Sequence, residues 1–139
     1  MFTLDPRLKN DTILLGEFEL SRVLLMNDAR YPWVILVPKV TGITEPFQLN
    51  ADQQQQLMLE SNFVAKQLNK LVQADKMNVA ALGNVVSQLH IHHVARYQQD
   101  EAWPAPVWGQ GQAVIYNDDE AQAVKAQLIT ALKTMIKHG

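Results

Sequence analysis

Three features of the 139-residue chain predict an α+β fold built on a mostly antiparallel sheet. Strand-like segments come in two pairs, each followed by an amphipathic helical stretch, and runs of strands broken by helices mark α+β architecture, not a regularly alternating parallel one. The segments within each pair are joined by short, turn-prone connections. A composition of 47% hydrophobic and 19% charged residues is that of an ordinary globular protein, and the length suits one domain spanning residues 1–139.

The first pair starts at Glu17–Asp28, where the alternation Glu17, Phe18, Glu19, Leu20 runs into the apolar Val23-Leu24-Leu25-Met26 and stops at Asn27-Asp28. After Ala29–Pro32, the β-branched and aromatic run Trp33–Val37 reads as a buried second strand closing at Pro38, and the two form a hairpin. Thr41–Asn50 reads as a loop, with Asn50 or Asp52 as the cap of the helix that follows. That helix is expected from Asp52 to Gln73, with Leu57, Val64, Leu68, Leu71 and Val72 on its core stripe and Gln53–Gln56 on a solvated face. Met77–Leu82 and Ser87–Tyr97 form the second strand pair around Gly83-Asn84. The segment Ala102–Gly109, with two Trp and two Pro, reads as irregular structure. A second helix is expected over Asp118–Lys137, its acidic residues at the positive N-terminal end and Lys133 and Lys137 at the negative one.

Composition also excludes several functions. Twelve basic against fourteen acidic residues give a net charge of -2, so no positive field exists to grip a nucleic acid polymer or an anionic membrane. One phosphate can still be held by a few backbone N–H groups and neutral side chains. With no cysteine there is no thiolate nucleophile, disulfide or Cys-based metal centre. No basic leader or long apolar run is visible at the N-terminus, and a cytoplasmic protein is expected.

The chemistry concentrates in Gln88-Leu89-His90-Ile91-His92-His93-Val94. On a strand, Gln88, His90 and His92 project from one face and His93 from the other, and alternate residues lie roughly 6–7 Å apart, close enough for several groups to meet one phosphate or one ion. One histidine would be an unremarkable strand residue. Two on one face, after a glycine loop that admits a ligand, make a candidate site. His93 is assigned to the edge of the core and His138 to a fraying terminus.

This segment resembles the histidine triad (HIT) superfamily, whose signature is His-φ-His-φ-His-φ-φ with φ apolar, and Gly83–Gln88 resembles the approach to that motif. Leu25–Asp28, Val34–Lys39 and Trp103-Pro104 are similar to further segments of the family in the same order, so the likeness covers most of the chain. The resemblance implies a five-stranded antiparallel sheet with flanking helices, a homodimer, and nucleotide hydrolysis or nucleotidyl transfer at an α-phosphate. His90 falls on the nucleophile that forms a nucleotidyl-histidine intermediate, and His92 on the residue assisting proton transfer. Asn27 and Asp28 fall near the ribose, Asn78 and Asn84 near the phosphates, and Leu25 and Ile43 beside the base or in the core. No cofactor or divalent metal is implied.

Two departures stand out. Gln88 takes the first triad position, and an amide exchanges hydrogen bonds without shuttling protons at neutral pH. His93 stands where the pattern is apolar, which predicts an only partly buried opposite face. The sequence therefore supports an enzyme acting on a nucleotide, such as a dinucleoside polyphosphate or nucleoside phosphoramidate, and against it a nucleotide-binding protein without efficient chemistry. A third reading is a metal site on His90 and His92 with Asp28 or Glu101 as third ligand.

Overall fold

The two strand pairs join into one sheet, to which a fifth strand is added at the N-terminal side. In the computed structural model, which describes residues 1–138, the strands are β1 (Thr12–Glu17), β2 (Ser21–Met26), β3 (Trp33–Pro38), β4 (Lys76–Ala80) and β5 (Ile91–Arg96). They run antiparallel in the order β1-β2-β3-β5-β4. β3 and β5 are covered on both faces and every residue of each is buried, as the near-continuous apolar composition of β3 requires.

The β2–β3 hairpin forms as expected, with Leu24 opposite Ile35. The alternation at Glu17–Leu20 is not its beginning, however: it is the end of β1 and the turn into β2, where the Phe18 N–H donates to the Ser21 carbonyl at 2.8 Å. Helix α1 (Pro6–Asp11) and β1 precede it, elements the sequence reading leaves unassigned. Pro6 suits a first helical turn, and Asp5 caps it by accepting from the Arg7 N–H at 2.9 Å. The β1–β2 register shifts between Leu14 and Gly16. A Cβ at residue 16 would stand 3.2 Å from Ile136 Cγ2, so glycine lets the C-terminal segment pack against the strand.

Helix α2 (Ala51–Val72) is capped by Asn50, whose Oδ1 accepts from the Gln53 N–H at 2.8 Å while Gln53 Oε1 accepts from the Asn50 N–H at 3.0 Å. Such a cap contributes about 1 kcal/mol. Leu57, Val64 and Leu68 are buried as the stripe predicts; Leu71 is exposed, and Glu60 and Ser61 join the buried face instead. Helix α3 (Asp118–Leu132) ends five residues before the expected Lys137, after which the chain turns so that the Lys137 N–H donates to the Glu17 carbonyl at 2.8 Å. His138 is exposed.

The helices cover one sheet face, enclosing Phe18, Val23, Leu25, Val34, Leu36, Val64, Leu68, Leu128 and Leu132. Leu25 thus belongs to this core and not to a base-binding surface. On the other face Leu24, Trp33, Ile35 and Val94 pack beneath α1, Tyr31 and the irregular Trp- and Pro-containing loop after β5. Two arginines fasten that loop. Arg96, 1% exposed, donates to Asp100 at 2.8 and 3.0 Å, to the Ala105 carbonyl at 2.8 Å and to Asn78 Oδ1 at 2.8 Å. Arg30 binds Asp28, Glu101 and the Gln110 carbonyl, and Tyr31 stacks against both guanidinium groups. Among the described residues no helix is long and apolar enough to cross a membrane.

Candidate active site

The pairing of β3 with β5 decides which way the histidines point. His92 is opposite Ile35 and faces the loop-covered side; His93 is opposite Val34 and faces the helices. The expected alternation therefore holds for these two. Gln88, Leu89 and His90 lie before the strand, which begins at Ile91, so His90 is presented by the end of the 81–90 loop. Gly83 bends that loop with a φ of +81°, a conformation glycine adopts without a Cβ penalty.

His90 and His92 meet with ring centroids 4.8 Å apart. The Gln88 carbonyl lies 2.7 Å from His90 Nδ1. A carbonyl only accepts, so Nδ1 carries a proton, and the lone pair of the neutral ring is on Nε2. His92 is held in the opposite tautomer: Trp33 Nε1, 3.0 Å away, donates to its Nδ1, leaving the proton of the neutral ring on Nε2. The site thus sets an imidazole acceptor beside an imidazole donor. Trp33 and Trp108 wall in His92, with ring centroids 5.6 and 5.2 Å away. Burial, reinforced by His90 and His93, pushes the His92 pKa down to about 3, so the ring is neutral at physiological pH.

His93 corrects the expectation of a partly open opposite face. It is completely buried, donates from Nδ1 to the Val34 carbonyl at 3.1 Å and accepts on Nε2 from the Ser61 hydroxyl at 2.7 Å. A polar residue is tolerated there because both nitrogens are satisfied. Burial lowers its pKa to about 4 despite bonds to backbone carbonyls.

The other predicted site residues are not all brought together. The Gln88 amide turns to the N-terminal segment, accepting from the Asp5 N–H and donating to the Thr3 carbonyl, both at 2.8 Å. It straps residues 3–5 beside the histidines, and Thr3, Asp5, Ile43, Thr44, Ser87 and Gln88 line a cleft of about 250 Å³ there. Asn84 is exposed on the neighbouring loop. Asn78 is on β4, its Oδ1 occupied by Arg96. Asn27 accepts from the Tyr116 N–H at 3.0 Å. Asp28 is clasped by Arg30 at 2.9–3.3 Å and accepts from the Val114 N–H at 3.3 Å. Burial opposes ionisation of Asp28, but these donors outweigh it and hold its pKa below the usual carboxylate range. The metal reading loses its proposed third ligands, since Asp28 and Glu101 both pair with Arg30. Among the described residues no group of three His, Asp or Glu is placed to hold an ion.

Trp33 escaped the sequence reading as a site residue. The available signal was register: an aromatic residue starting the strand next to the histidine strand lands on the face that His92 occupies.

Comparison with known proteins agrees with this fold. The sequence pattern of the HIT domain matches residues 7–99. A histidine triad protein of Marinobacter aquaeolei VT8 is 52% identical over 97% of this chain and 98% of its own, with a TM-score of 0.95. Histidine triad proteins of Sinorhizobium meliloti 1021 (45% identical, 95% and 98% covered, TM-score 0.92) and Bradyrhizobium japonicum (43%, 98% and 98%, 0.90) are similar throughout. No curated protein matches the chain. A HIT pattern over the whole sheet, together with near-complete superposition on three histidine triad proteins, means that the chain belongs to the HIT domain family.

Proposed function

We propose that this protein is a nucleotide hydrolase or nucleotidyl transferase, with His90 attacking the α-phosphate of a nucleoside phosphate derivative and carrying the nucleotidyl group covalently. The observation that carries this reading is the 2.7 Å bond from His90 Nδ1 to the Gln88 carbonyl. It leaves Nε2 free as the nucleophile and stabilises the positive charge that phosphorylation puts on the ring. His92 Nε2–H supports the phosphate or the departing group. Gln88 takes the first triad position and serves through its carbonyl, its amide being engaged with residues 3–5. Asn84, on the exposed loop, is the most accessible of the predicted phosphate contacts; Asp28 can reach a ribose only if Arg30 yields.

Intact-protein mass spectrometry after a rapid acid-free quench, with adenylated and guanylated substrates, tests the mechanism. A nucleotide-sized adduct is expected on the native chain and not on His90→Ala. If nucleotide binds but neither adduct nor product forms, the chain is a binding protein without this chemistry.

We also propose a homodimer. β4 is a sheet edge, and beside it the exposed Phe47, Met58 and Val79 border an apolar cleft of about 510 Å³. An open strand edge next to such a patch suits pairing with a second copy. Sedimentation equilibrium is expected to give twice the chain mass of 15.7 kDa; a monomer at micromolar concentration overturns the dimer.

A further inference from the structure

The bond between Trp33 and His92 bears on which substrates the site can cleave. An indole nitrogen is only a donor, so its proton must point at a bare His92 Nδ1 across the 3.0 Å separation. Converting His92 to imidazolium would place a second proton on Nδ1, directed at the indole N–H, with both side chains buried. Neutral His92 has one proton, on Nε2, and surrendering it without first gaining another would create an imidazolate. His92 can therefore donate a hydrogen bond but is poorly equipped to deliver a proton. Its titratable neighbours offer no counter-charge, being the imidazoles His90 and His93, while the Asp5 carboxylate is engaged by Arg7. Gln88 cannot supply the proton either.

We infer that Trp33 keeps His92 a hydrogen-bond donor and thereby confines the enzyme to leaving groups that depart as stable anions, such as phosphates, polyphosphates, carboxylates or phenolates, and disfavours alkylamines and alkoxides. The inference rests on the reading of His90 as nucleophile. In the first step the His90 Nε2 lone pair forms a bond to phosphorus as the bond from phosphorus to the leaving oxygen breaks. The electron pair leaves on that oxygen, which accepts a hydrogen bond from His92 Nε2–H and takes no proton. In the second step water attacks phosphorus, the P–N electron pair returns to His90 Nε2, and the proton of water passes to solvent. An alkylamine leaving group cannot follow this course, because its nitrogen must be protonated to depart. Trp33 is thus a positioning residue that acts on specificity through His92.

The test compares adenosine and guanosine 5′-phosphate derivatives carrying p-nitrophenol, phenol, ethanol or an alkylamine. In the native chain kcat/KM should fall steeply as the leaving group becomes less acidic, with the alkyl amidate about 10²–10⁴-fold below the nitrophenyl ester, the range one general acid supplies. Trp33→Phe, which keeps an aromatic ring and removes the donor, should narrow that gap and add an acid limb to the pH profile of the amidate. An amidate cleaved as fast as the nitrophenyl ester by the native chain, or a gap unchanged in Trp33→Phe, overturns the inference. Long-range ¹H–¹⁵N spectra of the native protein examine the tautomer independently of turnover and of how the variant folds. His92 Nδ1 should remain unprotonated from about pH 8 to pH 5, and an imidazolium signal in that range overturns the role of Trp33 whatever the activity. If the tautomer is as described but no derivative reacts or labels His90, the catalytic reading fails, and the leaving-group rule with it.

Discussion

Replacing His90 by alanine is expected to lower turnover by at least about 10⁴-fold, because removing a covalent nucleophile abolishes the two-step route and leaves only the binding and electrostatic remainder of the site. The expected loss for His92→Ala is smaller, about 10²–10³-fold, the effect of removing one preorganised donor from the charge that develops in the transition state. The contrast separates the two imidazoles by role, since burial and proximity are similar for both. Stability should change little in His90→Ala: the side chain makes one bond to the Gln88 carbonyl, worth about 1 kcal/mol. Single-turnover kinetics on folded variants check the ranking. A His90→Ala protein within tenfold of native turnover, or one more active than His92→Ala, would exclude a phosphorylated His90 from the path.

The residues behind that prediction were legible in the sequence to unequal degrees. His90 and His92 emerged from their spacing and from the glycine loop before them, because strand periodicity is local information. So did α2, through its apolar stripe, and the β2–β3 hairpin, through two apolar runs around a short connection. β1 was missed because Thr12–Glu17 shows no clean alternation, with Leu14 exposed, Leu15 buried and a register shift before Gly16. What each site residue touches was not legible at all. The Gln88 amide binds backbone 83 and 85 positions away, and Trp33 reaches His92 across 59. Asp28 read as an open carboxylate, yet folding brings Val114 onto it from 86 positions away, beside its near neighbour Arg30. Such contacts are made by tertiary packing, which places residues by register and loop path and leaves no periodic trace.

The second large effect expected is on stability in mild acid. The folded protein keeps His92 and His93 neutral, with pKa values of about 3 and about 4, whereas an unfolded histidine titrates near 6.5. Between those values the unfolded chain binds protons that the folded chain refuses. The contribution of both residues is therefore fully present above about pH 6.5 and is lost as pH falls toward 4. Lowering pH from 7 to 5 should reduce the unfolding free energy by about 2 kcal/mol per histidine, about 4 kcal/mol in all. Carboxylates do not account for a loss in this window: Asp100, held at about 2 by Arg96, and Asp28, also lowered, destabilise the fold only as pH drops below their unfolded values near 4. Urea denaturation at closely spaced pH values measures the effect. His93→Leu should cut the slope between pH 6 and 5 from about 2.4 to about 1.2 kcal/mol per unit. It should do so even though it lowers stability throughout by leaving the Ser61 hydroxyl without its acceptor. Native stability that stays level from pH 7 to 5 would mean that the imidazoles admit protons in the folded state. In that event the environment built around His92 by Trp33 and Trp108 is open enough to let it act as an acid after all.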